Sequence, residues 1–124
     1  LLLPSISLDR KTERLYGLLT DDDYTDGSAT LVLADRVREG TTSPASMLGG
    51  HNAFERAALA AFAGLKEHRA ALTEAGAPFV RLTGAGPALM TLVSSEGEAR
   101  AIRDRLVADD REAYAASLVA PGQV

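Results

Sequence analysis

The sequence predicts an α+β domain in which helices pack on one face of a mostly antiparallel sheet. Strand-like apolar runs open and close the chain and flank a glycine-rich loop, whereas the segments between them repeat apolar residues at helical spacing. The resulting order is a strand, several helices, a strand pair, a helix and a strand. This order favours a layered α+β fold over a doubly wound parallel sheet.

The predicted strands are short apolar runs bounded by turn residues. The chain begins with an apolar segment, residues 1–8, which turns at Pro4-Ser5. Segments 79–82 and 88–93 flank the glycine loop, and segment 113–119 closes the domain. We therefore expect the sheet to combine both ends of the chain with the hairpin around the loop.

Five helices are predicted, over 12–19, between Gly27 and Gly40, over 54–62, over 65–75, and after Ser95. Four of them show apolar stripes at helical spacing, which predict the sides that face the core. The stripes consist of Thr30, Leu33, Ala34 and Val37; of Phe54, Ala57, Ala58, Ala61 and Phe62; of Leu65, His68 and Leu72; and of Ala99, Ile102, Leu106 and Val107.

Two helix starts have the spacing of a capping box, in which an N-cap side chain and a glutamate three residues later each bind a backbone N–H. Asn52 with Glu55 and Ser95 with Glu98 have this spacing. Asp21–Asp23, in contrast, is predicted to be a hydrated turn, because consecutive aspartates splay apart rather than converge on a cation.

Composition indicates one domain, residues 1–124, and excludes several functional classes. The chain has 46% hydrophobic residues, no cysteine and a net charge of -4. The absence of cysteine excludes disulfides and thiolate metal sites and favours a cytoplasmic location. The acidic balance argues against nucleic-acid and anionic-membrane partners. The chain starts inside an apolar run, so we expect it to be a piece of a longer protein.

A complete catalytic or metal site is not predicted. His51 and His68 lie far apart in sequence without a carboxylate at ligand spacing, so we predict no metal site. The chain has no nucleophile motif, no P-loop and no dinucleotide fingerprint. We therefore assign no catalytic residue.

The glycine loop, Thr83 to Pro87, is the best candidate for ligand contact. Its glycines, Gly84 and Gly86, let the main chain approach a ligand without a Cβ atom in the way. The N–H groups of Gly84, Ala85 and Gly86 could point at ligand oxygens, and Pro87 ends that row of donors. The alternative is an ordinary hairpin connection, for which glycine is also typical.

Several segments, in the same order along the chain, resemble motifs of the GHMP kinases. Residues 76–87 resemble the C-terminal region of that family, whose third motif is a glycine-rich S/T-G-x-G stretch. Two upstream segments are similar to the P-x-I…T-x-x-x-Y and N-D-[LF]-E motifs of a member that acts on a cytidine-diphosphate-linked methylerythritol. Those segments contain Pro4-Ser5-Ile6, Lys11-Thr12, Tyr16, Tyr24-Thr25-Asp26-Gly27, and Asn52-Ala53-Phe54-Glu55.

The resemblance implies a ferredoxin-like C-terminal domain and a kinase activity in the full-length protein. The family transfers the γ-phosphoryl group of ATP to a substrate hydroxyl, here the 2-hydroxyl of the methylerythritol unit in the non-mevalonate route to isoprenoid precursors. ATP, Mg²⁺ and the catalytic groups belong to an N-terminal domain, which would be the partner of this chain. We therefore expect the chain alone to be inactive and to bind no cofactor.

The resemblance also implies substrate-binding residues. Thr83, Gly84, Ala85 and Gly86 would face the nucleotide loop across the interdomain cleft, and Tyr16 would place an aromatic ring against the cytosine. Two departures from the family pattern remove side-chain groups: Ala85 stands where many relatives have serine or threonine, and Ala53 stands where the family has aspartate.

Two alternatives from other classes stay open at this point. The chain could be a stand-alone ferredoxin-like module that senses a small anion or amino acid at residues 84–87. It could also be a structural interaction domain that forms a homodimer through an exposed apolar face.

Overall fold

A computed structural model describes residues 1–44, 46 and 50–119 of the chain. Helix α1 spans Lys11–Leu18 and is followed by a single 3-10 turn at Asp21–Asp23. The other helices are α2 (Ser28–Arg38), α3 (Phe54–Ala61), α4 (Leu65–Glu74) and α5 (Glu96–Ala108), and the strands are β1 (Arg81–Leu82) and β2 (Leu89–Met90). All five predicted helices are therefore confirmed to within one or two residues at most ends. The small residues of segment 40–50 also predict a flexible loop between α2 and α3, and that segment lies partly outside the described residues.

The sheet is antiparallel, as predicted, but smaller. Strands β1 and β2 pair with Arg81 opposite Met90 and Leu82 opposite Leu89. Leu2 extends the ladder by one bridge to Leu89 and another to Ala113. The predicted strand over 113–119 is wrong beyond Ala113, because the hydrogen bonds of that segment to residues 1–3 end at Tyr114.

The core is aliphatic, as the low aromatic content predicts. The largest fully buried side chains are Leu2, Leu15, Leu65, Leu72, Leu89 and Leu106. The predicted stripes of α3 and α4 contribute Ala57, Ala58, Phe62, Leu65 and Leu72 to this core, which confirms their orientation. On α5 the prediction is wrong for Val107, which is 51% exposed. One residue along a helix is a rotation of about 100°, which carries position 107 out of the stripe of Ile102 and Leu106.

Helix α2 forms where predicted but does not pack as predicted. None of its residues is buried. In the predicted stripe only Leu33 and Ala34 are partly covered, whereas Thr30 and Val37 are exposed. Leu31 is 66% exposed. Helical spacing thus predicted the helix correctly and its burial wrongly.

The prediction of a hydrated turn at Asp21–Asp23 is correct for its first two residues and wrong for the third. Asp21 and Asp22 are exposed, whereas Asp23 is buried. The carboxylate of Asp23 accepts hydrogen bonds from Arg56 of α3 and from the Thr20 N–H. A paired carboxylate can be buried where an unpaired one would not be tolerated.

Within the described ranges, no helix combines the length and the hydropathy that crossing a bilayer requires.

Candidate functional site

The glycine loop is a tight connection between β1 and β2 whose ends are closed by Thr83. The Thr83 N–H donates to the carbonyl of Ala88 at 2.9 Å, and its hydroxyl donates to the same oxygen at 3.2 Å. The Gly86 N–H donates to the Thr83 carbonyl at 2.9 Å. Gly84 and Gly86 have φ values of 53° and 80°, and the Gly86-Pro87 peptide is cis. Both glycines are therefore needed for their backbone conformation.

The loop offers two free donors rather than the predicted three. The Gly86 N–H is already used within the turn. The N–H groups of Gly84 and Ala85 have no acceptor among the residues that the structure describes. Gly84 is exposed and Ala85 half-buried, so this pair of donors lies at an accessible surface.

Gly86 also has a packing requirement. A Cβ atom added there would lie 2.7 Å from Leu82 Cδ1 and 3.5 Å from Phe62 Cε2, whereas one added at Gly84 would meet nothing within 4 Å. The missing side chain at position 86 therefore lets the loop close over the core. At position 84 the missing side chain leaves open space outside the protein.

Asn52 connects the start of α3 to the loop. Its Nδ2 donates to the carbonyls of Leu82 and Gly84, at 3.1 and 2.8 Å, and its Oδ1 accepts from the Phe54 N–H at 3.0 Å. The capping box predicted here is therefore wrong: the N-cap of α3 is Ala53, which has no side-chain cap, and the Glu55 N–H donates to the main-chain carbonyl of Asn52. The Glu55 carboxylate turns away from Asn52 and pairs with Arg81 of β1 at 3.0 Å.

The sequence did not predict that Asn52 binds the carbonyls of the glycine loop. An asparagine before a helix is equally suited to capping the helix, so its residue type does not distinguish the two roles. One feature of the sequence pointed to a structural role for this segment: Ala53 replaces the aspartate of the family motif, so Asn52 and Glu55 are the polar side chains that remain in it.

Lys11, the first residue of α1, reaches the loop from the other side. Its Nζ donates to the Gly86 carbonyl at 3.2 Å, and the side chain is otherwise exposed. This contact binds an ammonium group to the Gly86 end of the loop.

Tyr16 lies on the same helix, in contact with α3. Its ring packs edge-on against Phe54, with the ring centroids 5.1 Å apart and the planes at 87°. Tyr16 is 60% exposed, so its ring is not part of the core. Five residues of helix separate it from Lys11, a rise of about 7.5 Å.

A polar cluster around Asp23 and Arg56 holds the 3-10 turn against α3. Arg56 donates through Nε to Asp23 Oδ1 at 2.6 Å, through Nη2 to Asp23 Oδ2, and also to the Leu18 carbonyl at 2.6 Å. His51 Nε2 donates to the Asp23 carbonyl at 2.7 Å. The hydrogen bonds from Arg56, and then those from Thr20, hold the pKa of Asp23 well below its ordinary range.

The two histidines lie in separate environments. His51 contacts Asp23, whereas His68 Nδ1 lies 2.7 Å from Arg111 Nη1. Burial and the Arg111 charge lower the pKa of His68. In the described part of the chain, no three His, Cys, Asp or Glu side chains come close enough to hold a metal ion.

Two cavities lie away from the glycine loop. One, of about 600 Å³, is lined by residues that include Pro78, Phe79 and Arg105. The other, of about 570 Å³, is lined by residues that include Thr91 and Tyr114. Residues 83–87 line neither of these two cavities.

Comparison with known proteins gives a consistent result. Residues 37–111 match the family model described as GHMP kinases C terminal. Curated relatives from Dehalococcoides mccartyi, strains BAV1, CBDB1 and 195, are named 4-diphosphocytidyl-2-C-methyl-D-erythritol kinase and are 34% identical to this chain over 122 residues. The alignments cover 98% of this chain and 42% of each relative, so the chain spans less than half of their length. No solved structure matches the chain.

Proposed function

The chain belongs to the GHMP kinase family, as a C-terminal domain, and from this premise we propose that it completes the active site of a small-molecule kinase. The proposed reaction transfers the γ-phosphoryl group of ATP to the 2-hydroxyl of 4-diphosphocytidyl-2-C-methyl-D-erythritol, a step of non-mevalonate isoprenoid biosynthesis. The observation that carries the substrate is the 34% identity to kinases of that name along 98% of the chain.

In this proposal the glycine loop supplies backbone donors to an anion. Phosphoryl transfer spreads negative charge over the transferred group, and fixed donors aimed at that charge lower the barrier. The N–H groups of Gly84 and Ala85 are unoccupied among the described residues, and the Lys11 ammonium binds the Gly86 carbonyl of the same loop. These groups would contact substrate or phosphate oxygens, with Thr83 and Gly86 fixing the shape of the loop.

Tyr16 would bind the cytosine ring. Its side chain is 60% exposed beside Phe54, which supports a role in stacking. A base stacked on an aromatic ring gains about 1–3 kcal/mol. Tyr16→Ala should therefore weaken substrate binding in the full-length enzyme, and an unaltered KM would reject the assignment.

The described residues do not provide a magnesium site of their own. We therefore assign ATP and Mg²⁺ to an N-terminal domain, which would close the cleft over the glycine loop and be the main partner of this chain. The isolated chain would be inactive. We also propose a cytoplasmic enzyme without nucleic-acid or membrane partners, in line with its net charge of -4.

The finer fold assignment belongs to the same proposal. The bridges through Leu2 place the chain start between Leu89 and Ala113, with β1 on the far side of β2. A strand that begins the chain and lies inside the sheet, with a hairpin and a final strand on its two sides, is the arrangement of a ferredoxin-like β-α-β-β-α-β fold.

An assay of the full-length protein tests the function. We expect ATP-dependent phosphorylation of 4-diphosphocytidyl-2-C-methyl-D-erythritol, monitored by ADP release, and no comparable turnover with homoserine or mevalonate. Residues 1–124 alone should give no turnover. Turnover of homoserine or mevalonate instead would overturn the substrate. A full-length protein without kinase activity, together with anion binding by residues 1–124, would favour the stand-alone ligand-binding module.

A further inference from the structure

The Asn52 side-chain amide is held by hydrogen bonds in one orientation. Both Nδ2 hydrogens have carbonyl acceptors, Leu82 at 3.1 Å and Gly84 at 2.8 Å, and Oδ1 accepts from the Phe54 N–H at 3.0 Å. A flipped amide would place its oxygen against two carbonyl oxygens and its NH₂ group against an N–H donor. The amide can therefore satisfy all three contacts in only one way.

This orientation sets the direction of two peptide groups of the loop. The Gly84 carbonyl and the Ala85 N–H belong to the same planar trans peptide, so they point in opposite directions. Because Asn52 holds the Gly84 carbonyl toward the start of α3, the Ala85 N–H points away from α3. The same rule applies two peptides earlier, where Asn52 holds the Leu82 carbonyl and the Thr83 N–H is directed to Ala88.

The Ala85 N–H is one of the two free donors of the loop. Without Asn52, rotation of the peptide between Gly84 and Ala85 would be restrained mainly by the turn, and glycine permits the conformations that a reversed peptide requires. A reversed peptide would present a carbonyl oxygen where the donor had been. Such a change converts an attraction for an anion into a repulsion.

We propose that Asn52 is a positioning residue, which acts by aiming the Ala85 N–H at an oxygen of the transferred phosphoryl group or of the substrate. This role rests on the proposed kinase function. Asn52 itself makes no contact with the reacting atoms, and its effect passes through the loop backbone.

The test uses the full-length protein with Asn52→Ala and Asn52→Asp. Removing one backbone-type donor from an anionic transition state costs about 10²–10³ in kcat. A donor that is misaimed, rather than removed, should cost about 10–100-fold in kcat with a smaller change in KM. Asn52→Asp should lose at least as much, because a carboxylate would face two carbonyl oxygens.

Ser95→Ala is the matched control. Like Asn52, Ser95 accepts a backbone N–H at the start of a helix, that of Glu98 at 3.2 Å, but among the described residues its side chain has no hydrogen bond to the loop. We expect Ser95→Ala to leave kcat unchanged. A loss of kcat in Ser95→Ala as large as that in Asn52→Ala would overturn the proposal, because general loss of a helix cap would then explain both.

A second measurement reports on orientation without activity. The residual dipolar coupling of the Ala85 N–H in the ¹⁵N-labelled full-length protein depends on the direction of that bond. We expect it to change in Asn52→Ala and to stay constant in Ser95→Ala. An unchanged coupling in Asn52→Ala would overturn the proposal, whatever the kinetics. Wild-type protein without kinase activity would reject the proposed function and the catalytic role, whereas a changed coupling would still support the orienting role.

Discussion

Helices α3 and α2 both carry apolar residues at helical spacing, yet only α3 is part of the core. Ala57 and Ala58 of α3 are fully buried. In α2 no residue is buried, and Leu31 and Val32 are 66% and 54% exposed. The two helices are of similar length, 8 and 11 residues, so length does not account for the difference.

Long-range polar contacts account for more of the difference in burial between α3 and α2. The start of α3 reaches three separate segments: Asn52 holds the glycine loop, Glu55 pairs with Arg81, and Arg56 pairs with Asp23. Among the described residues, the polar contacts of α2 are local. They include a pair between Asp35 and Arg38, a bond from the Ser28 N–H to Asp26, and bonds from Thr41 to the Arg36 carbonyl. The candidate site is therefore organised around α3, and α2 is available for a partner.

The largest expected effect comes from two leucines that differ in burial. Leu15 is fully buried on α1, where α1 packs on α3, whereas Leu31 is 66% exposed on α2. Leu15→Ala should lower the free energy of unfolding by about 2–5 kcal/mol, because it leaves a cavity. Leu31→Ala should change it by less than about 0.5 kcal/mol. Urea unfolding of both variants measures the contrast.

A large effect of Leu31→Ala would contradict this contrast and would show that something covers α2. Sedimentation velocity would then separate two explanations. A wild-type dimer that Leu31→Ala dissociates would support a homodimer, and a monomer would indicate the N-terminal domain of the same protein as the cover.

The second effect compares the two glycines of the loop. Gly86→Ala should cost about 1–3 kcal/mol, because its Cβ would lie 2.7 Å from the buried Leu82 in a backbone with φ of 80°. Gly84→Ala meets open space and should cost only about 1 kcal/mol, from its φ of 53°. Thermal unfolding of each variant checks the order.

The activity of the full-length enzyme should not follow the stability order of Gly86→Ala and Gly84→Ala. If the open side of Gly84 faces the substrate, Gly84→Ala should lower kcat/KM of the full-length enzyme by more than its small stability loss suggests. Equal activity of Gly84→Ala and wild type would contradict the placement of this loop in the cleft.

Helical spacing and glycine placement predicted the positions of the helices and of the hairpin. On α3 the apolar stripe predicted the buried side correctly; it consists of Phe54, Ala57, Ala58 and Phe62. An apolar stripe of that width on a surface helix normally faces the core. The same reasoning failed for α2 and for Val107. A stripe shows which side is apolar, and it does not show which neighbour covers it.

The candidate site was harder to predict than the helices. The glycine loop itself was visible, since a glycine pair between two apolar runs is a local pattern. Its bracing was not, because the contacts from Asn52 and Lys11 join residues 32 and 75 positions apart. Asp23 was predicted to be hydrated because its partner Arg56 lies 33 positions away in sequence, so the pair is not a local pattern.

The smallest effect concerns the pair that joins the turn before α2 to α3. The pKa of Asp23 is lowered in the folded protein, chiefly by the hydrogen bonds from Arg56, whereas an unfolded aspartate titrates near about 3.9. A carboxylate with a lowered pKa binds protons more weakly in the folded state. Its contribution to stability is therefore fully present well above pH 4 and is lost as the pH falls below that value.

Asp23→Asn should consequently destabilise the protein most at neutral pH, and the difference from wild type should shrink between about pH 5 and pH 3. Urea unfolding at pH 7, 5 and 3 measures it. Because hydrogen bonds from Ser28 also lower the pKa of Asp26, the difference between the two proteins, and not the wild-type curve alone, isolates Asp23.

Asp35→Asn on α2 is the matched control: its pair with Arg38 is exposed and should contribute little at any pH. A difference for Asp23→Asn that stays constant with pH would mean that the carboxylate charge does not hold the turn to α3, and that the contrast between the two helices rests on apolar packing alone.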